Sequence, residues 1–115
     1  MLLEALKAEG AHAVHHDDFF PQDTQDEVWI PNVAQRGWGI LTNDRRIKRR
    51  PLQLLAVRES GAKLFTLTCK HVDGKTITAV FLRHLKKIQR ITSNESGPFI
   101  YSVTQTRLSR QRLVS

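Results

Sequence analysis

Four short apolar segments alternate with segments of helical periodicity, and this alternation restricts the chain to one class of fold. The apolar segments occupy residues 11–16, 38–42, 63–69 and 99–104. Each is short enough for a strand and begins within two residues of a Gly or Pro, which bounds it with a turn signal. Strands that alternate with helices predict a mostly parallel sheet covered by helices on both faces. The predicted fold class is therefore a three-layer α/β/α domain.

The first helical segment covers residues 2–9. Leu2, Leu3 and Leu6 share one face of this predicted helix, and Gly10 follows it as a C-terminal cap. The helix leads directly into the first predicted strand.

A second helix is predicted to begin at Thr24, because Thr24 and Glu27 have the spacing of a capping box. Pro31 lies too deep for an undisturbed helix. We therefore expect a short helix to Ile30, then either a kink or a restart with Pro31 in a first turn, and an end at Gly37.

A third helix is predicted to begin at Pro51 and to end at Gly61. Its Leu52, Leu55 and Ala56 are expected to face the core.

The longest helical pattern begins at Thr76. Its apolar positions repeat at helical spacing and are Ile77, Val80, Phe81, Leu85 and Ile88. The chain of 115 residues suits one domain, which we place at residues 1–105. Residues 106–115 form a basic C-terminal tail, for which we expect little order.

Charge and cysteine content narrow the class of partner and the compartment. The net charge of +7 favours an anionic partner, such as nucleic acid, an acidic protein or a membrane surface. The single cysteine, Cys69, cannot form an internal disulfide. No apolar run approaches the length of a membrane span, and the N-terminus lacks the features of a signal peptide. We expect a cytoplasmic protein.

Three acidic residues fall where an open α/β sheet binds its ligands. Asp44 directly follows the predicted strand at residues 38–42. Asp26 and Glu27 open a helix that starts from the same edge of the sheet. Each residue also has a purely structural interpretation: acids in a first turn favour the helix dipole, and an Asp after an Asn forms turns.

Carboxylates that converge at this edge could bind Mg²⁺ or Mn²⁺, which prefer oxygen ligands. Such an ion can activate water and neutralise charge on a phosphodiester. A basic run follows Asp44 and could contact phosphates, or could be a solvated surface. Its cations are Arg45, Arg46, Lys48, Arg49 and Arg50.

Other candidates near the N-terminus are weaker. His12, His15 and His16 have no second His or Cys pair at ligand spacing, which favours ordinary histidines at a strand edge. Asp17 and Asp18 either join the acidic site or cap their loop.

The stretch "HHDDFFPQDTQDEVWIPNVAQRGWGILTNDRRIKRRP" resembles the core of PIN-like domains of the VapC toxin type, in particular the VapC45-like branch. That branch has a D-E-x-W segment, a GW strand ending in Thr-x-Asp, and a basic run closed by Pro. The later "GPFIYSVT" resembles its closing strand, so the resemblance covers roughly residues 1–105.

The resemblance implies a PIN-type fold and a metal-dependent endoribonuclease restrained by a cognate antitoxin protein. By motif, Asp26 matches the acid at the start of the second helix, with Glu27 beside it, and Asp44 matches the acid after the strand. Arg46 stands where related domains often carry another acid. PIN domains also open with a strand that ends in Asp, whereas this chain opens with a helix. Without that strand its neighbours keep unpaired backbone, which a homodimer or a rearranged sheet would satisfy.

The sequence thus leaves three hypotheses. The first is a metal-dependent ribonuclease toxin that cuts RNA. The second is a catalytically inactive PIN-like module that binds RNA or an antitoxin. The third is an interaction domain whose basic face binds an acidic protein.

Overall fold

Helices flank both faces of one four-stranded sheet in the computed structural model, which describes residues 2–43, 51–68 and 73–111. The helices are α1 (Leu2–Ala8), α2 (Asp26–Gln35), α3 (Pro51–Ser60) and α4 (Gly74–Asn94). The strands are β1 (Gly39–Thr42), β2 (Lys63–Leu67), β3 (Phe99–Val103) and β4 (Leu108–Gln111). The sheet has the order β1-β2-β3-β4, in which the first three strands are parallel and β4 is antiparallel to β3. The predicted α/β class with a mostly parallel sheet is confirmed.

The sheet is apolar on both faces because side chains alternate along each strand. On one face Ile40, Leu64 and Ile100 form a row that packs with Ile30 of α2 and Val57 of α3. On the other face the strands and α4 share a second core, which includes Phe65, Leu67, Phe99, Val103, Val80, Phe81 and Ile88. Burial on both faces is the usual condition of a parallel sheet.

Residues 11–16 do not form the predicted first strand. They precede a 3-10 turn at His16–Asp18 and pair with none of the strands in the described ranges. A groove of about 1270 Å³ is lined by this segment, by Leu41 of β1, and by Leu2 and Ile88 of the helices behind. A strand needs a neighbour to bond its N–H and C=O groups, and this groove keeps the segment apart from β1.

The α2 helix is continuous through Pro31, which corrects both the predicted start and the predicted break. It begins at Asp26, and its N-cap, Gln25, makes no side-chain capping bond. The backbone N–H of Thr24 instead donates to the carbonyl of Pro21 in a turn. Pro31 removes one helical hydrogen bond. The neighbouring Ile30 is fully buried in the core, and this packing offsets the lost hydrogen bond.

The inward face of α3 is rotated from the prediction. Leu54, Ala56 and Val57 are buried, whereas Leu52 and Leu55 are 60% and 47% exposed. Apolar residues occupy nearly every side of this helix, so its periodicity does not define which side meets the sheet.

Residues 108–111, which the sequence placed in a basic tail, form β4 instead. The carboxylate oxygen Oε1 of Glu95 accepts hydrogen bonds from Tyr101 Oη at 2.8 Å and from Arg110 Nη1 at 2.9 Å. The Arg110 guanidinium also lies 5.6 Å from the ring centroid of Phe99. One basic residue of the tail therefore has both a carboxylate and an aromatic partner, which tie β4 to the domain.

Asp73 caps α4, and we expect its replacement by alanine to destabilise the domain. Its Oδ1 accepts a hydrogen bond from the backbone N–H of Thr76 at 2.8 Å. Loss of such a cap is expected to lower the Tm by roughly 4–8 °C at pH 7. The same hydrogen bond is the largest cause that lowers the pKa of Asp73.

A lowered pKa in the folded state fixes the sign of the pH dependence. The contribution of Asp73 is fully present above its pKa in the unfolded chain and is lost as the pH falls through the lower folded pKa. Thermal unfolding followed by circular dichroism should show the difference between wild type and Asp73→Ala shrinking in acid. Asp73→Asn, which keeps a capping oxygen, should match the wild type near neutral pH. Equal Tm values for wild type and Asp73→Ala at pH 7 would contradict the assignment.

Candidate active site

The first turn of α2 lies at the edge of the sheet where the parallel strands end. Only residues 36–38 separate α2 from β1, so the helix runs back beside the strand in the opposite direction. Val33 and Ala34 accordingly pack on the face that contains Ile40. Open α/β sheets bind ligands at this edge.

The direction of α2 carries Asp26 toward the end of β1 that Thr42 occupies. Ile30 packs in the same cluster as Ile40, and Asp26 lies one helical turn, about 6 Å, before Ile30. Thr42 lies two residues, about 6.6 Å, beyond Ile40. Because helix and strand run in opposite directions, both steps lead to the same edge.

The carboxyl group of Asp26 is half-buried and held in place by Trp29. The indole Nε1 of Trp29 donates a hydrogen bond to Asp26 Oδ1 at 2.9 Å. The second oxygen, Oδ2, accepts no hydrogen bond from the residues that the structure describes. Glu27 is also half-buried. Positions 26 and 27 lie four and three residues before Ile30, and therefore next to the face of α2 that meets the core. One fixed carboxylate with a free oxygen, and a second beside it, therefore lie at the strand ends.

A row of hydroxyl side chains crosses the three parallel strands at this edge. Thr42 pairs with Thr66, which pairs with Ser102. Each lies two residues beyond a member of the apolar row described above and therefore points to the same face, that of α2 and α3. Thr66 and Ser102 are buried. Sequence reasoning missed this row, although each hydroxyl belongs to the fourth residue of its strand.

The imidazole and carboxyl groups of residues 15–17 are engaged with one another. His16 Nδ1 lies 3.1 Å from Asp17 Oδ1, Gln22 Nε2 donates to Asp17 Oδ2 at 3.1 Å, and the Asp17 N–H donates to His15 Nδ1. The hydrogen bond from His16, and then that from Gln22, lowers the pKa of Asp17. Asp17 thus organises its own loop, while the His16 ring lies edge-on to Trp29 with centroids 4.9 Å apart.

Part of the predicted site lies outside the described residues. This holds for Asp44 and for the cations Arg45, Arg46, Lys48, Arg49 and Arg50. Within the described ranges, no three His, Cys, Asp or Glu residues gather into a group that could hold a metal ion. A metal centre at this edge would have to include residues outside the described ranges, and Asp44, which follows Thr42 by two positions in the sequence, is the predicted one.

The protein is an α/β/α domain with acidic side chains toward the edge where its parallel strands end. Comparison of its sequence with models of known families identifies the family. The chain belongs to the PIN-like domain family: the family model described as "PIN like domain" matches residues 1–69. The matched segment runs from α1 through β2 and contains Asp26, Glu27 and Asp44.

A curated relative supports the same assignment. The chain is 28% identical over 96 residues to the protein named "Putative ribonuclease VapC45" from Mycobacterium tuberculosis. The alignment covers 84% of this chain and 69% of that protein. No solved structure matches the chain significantly. The resemblance to the VapC45-like branch is thus confirmed as a distant similarity.

Proposed function

We propose that this chain is a divalent-metal-dependent endoribonuclease, the toxin of a toxin–antitoxin pair. The observation that carries the proposal is the position of Asp26: a half-buried carboxylate, fixed by Trp29, at the edge of the sheet where Asp44 follows β1 in the sequence. The family and the name of the relative support RNA hydrolysis as the reaction.

The donor set fits a hard cation. Asp26 offers one free carboxylate oxygen, Asp44 offers a second carboxylate, and the nearby hydroxyl row adds only oxygen atoms. Mg²⁺ and Mn²⁺ are usually held by one or two carboxylates and keep several waters. When bound, the ion supplies an activated water and neutralises charge on the phosphodiester. Asp26 and Asp44 would hold it, and Glu27 would assist from the same turn.

The basic run would position the RNA. Its five cations are Arg45, Arg46, Lys48, Arg49 and Arg50, and they follow Asp44 without a gap. Contacts with phosphates fix the register of a nucleic acid without selecting its bases. None of the described helices is both long and apolar enough to cross a bilayer. The charge of +7 favours RNA and an acidic antitoxin as partners.

A second candidate is a PIN-like module that binds RNA or an antitoxin without cutting. The observation that favours it is Arg46, which stands where related domains often carry another acid. Two carboxylates bind a divalent ion more weakly than three or four, which would favour binding over catalysis.

Cleavage of RNA separates the two candidates. Purified protein should cut a labelled single-stranded RNA internally when Mn²⁺ is added, and EDTA should stop the reaction. Tight RNA binding with no metal-dependent cleavage would support the inactive module and overturn the ribonuclease.

Replacing Trp29 by phenylalanine should weaken metal binding while keeping the packing of the helix. Phenylalanine retains an aromatic ring in the core but cannot donate to Asp26 Oδ1. Loss of a partner that orients a ligand typically costs about 10- to 100-fold in metal affinity. Titration of Mn²⁺ by isothermal calorimetry measures the effect.

Trp38→Phe provides the matched control, because Trp38 makes no hydrogen bond to an acidic side chain among the described residues. Its Mn²⁺ affinity should equal that of the wild type. Equal affinities for wild type and Trp29→Phe would show that the indole does not position Asp26.

A further inference from the structure

Two aromatic side chains remain exposed near the start of β1 and face each other. Phe19 and Trp38 are 47% and 37% exposed, and their ring centroids lie 5.8 Å apart with a 72° angle between planes. Phe19 follows the 3-10 turn, and Trp38 directly precedes β1. Large aromatic surface is usually buried, so an exposed pair indicates a surface suited to a ligand.

Arg36 adds a positive charge to this pair. Its guanidinium carbon lies 5.3 Å from the centroid of Phe19 and 5.1 Å from that of Trp38. Arg36 Nε donates to Asn32 Oδ1 at 3.3 Å, and no acidic residue of the described ranges forms an ion pair with it. The cation is therefore held over the rings without being neutralised. We call Phe19, Trp38 and Arg36 the platform.

A line of ring contacts leads from Phe20, the residue next to Phe19 in the chain, to Asp26. The ring centroid of Phe20 lies 5.4 Å from that of His16, and the centroid of His16 lies 4.9 Å from that of Trp29. Trp29 in turn donates its hydrogen bond to Asp26.

Partly exposed aromatic rings, beside a cation that forms no ion pair with the described residues, match the chemistry of single-stranded nucleic acid. Proteins bind single strands by stacking bases on aromatic side chains within a positively charged surface. Duplex RNA cannot use such a surface, because its bases are already stacked and paired. The net charge of +7 favours the polyanion over a neutral or basic protein.

We propose that the platform binds an unpaired nucleobase of single-stranded RNA, by stacking on Trp38 and Phe19 while Arg36 contacts the adjoining phosphate. The inference rests on the proposed function only for the choice of RNA. It places one unpaired nucleotide of a single-stranded RNA on the platform, near the start of β1.

Binding of a fluorescently labelled, uridine-rich single-stranded decamer, measured by anisotropy in EDTA, tests the platform without cleavage. Trp38→Ala and Phe19→Ala should each weaken binding by roughly 5- to 150-fold, the loss expected for one stacked base. Trp38→Phe should retain most of the affinity. Leu55→Ala is the matched control, because Leu55 is 47% exposed on α3, outside the platform. An RNA hairpin without a long loop serves as the duplex ligand.

Three results would overturn the platform: full affinity in both alanine variants, an equal loss in Leu55→Ala, or an equal loss for the hairpin. If Trp38→Ala does not fold, as judged by circular dichroism, then Phe19→Ala and Trp38→Phe decide the question. The cleavage assay is independent of this one. Protein that never cuts RNA but loses single-strand binding in these variants would refute the ribonuclease and support the platform.

Discussion

The substitution Asp26→Asn is expected to abolish Mn²⁺-dependent cleavage of RNA while leaving the fold intact. Asn has the shape of Asp and can still accept the hydrogen bond from Trp29, but its amide lacks the negative charge that holds a divalent ion. Removing a residue that only hydrogen-bonds to a metal ligand lowers metal affinity or activity by about 10- to 100-fold. Removing the charge of a ligand itself should therefore lower the cleavage rate by at least about 100-fold.

The matched control for this substitution is Asp23→Asn, which removes an exposed carboxylate three residues earlier. It should cleave RNA at the wild-type rate. Asp44→Asn should behave as Asp26→Asn does, since both residues would hold the same ion. Cleavage by Asp26→Asn at the rate of the control would remove Asp26 from the site.

Phe65→Ala is expected to cost about 3–5 kcal/mol in the free energy of unfolding. Phe65 is fully buried on the central strand β2. Its ring centroid lies 5.6 Å from that of Phe99 and 5.6 Å from that of Tyr101. A domain of this size is stable by only about 5–15 kcal/mol, so most of that margin could be lost.

Urea unfolding gives the free energy of unfolding of Phe65→Ala and of Phe19→Ala. Because both variants lose the same side chain, the difference between them measures the effect of burial. Phe19 is on the surface, so its replacement should change the free energy of unfolding by about 0.5 kcal/mol or less. A similar cost for both variants would contradict the described core.

The three parallel strands could be predicted from sequence because each is defined locally. The segments that became β1, β2 and β3 are apolar, short and preceded by Gly or Pro. The segment at residues 11–16 has the same local signals but no strand beside it to bond with. A strand is stabilised by its neighbours, which a local pattern does not contain.

The predictions for β4, for the buried face of α3 and for Pro31 in α2 were wrong for the same reason. Each of these features depends on contacts between residues that are distant in sequence. β4 depends on its register with β3 and on the bond between Arg110 and Glu95, so its basic residues alone suggested a tail. The buried face of α3 depends on how the helix meets the sheet. The helix α2 continues through Pro31 because tertiary packing outweighs one lost hydrogen bond.

The candidate site could be located only in outline. The chain order placed Asp26 and Glu27 at the ligand-binding edge, since a short connection makes a helix reverse beside the next strand. The bond from Trp29 to Asp26 and the row of Thr42, Thr66 and Ser102 were missed. Both depend on which side chains meet in space. The positions of Asp44 and its basic run remain a prediction.

Calorimetric titration of Mn²⁺ into the purified protein tests most directly whether Asp26 and Asp44 share a metal ion. The wild type should bind Mn²⁺ at one site per chain, Asp23→Asn should bind it equally, and both Asp26→Asn and Asp44→Asn should lose the signal. A wild type that binds no Mn²⁺ would contradict a shared metal site at the strand ends. Binding of Mn²⁺ by Asp26→Asn and Asp44→Asn as strong as that of the wild type would contradict it as well.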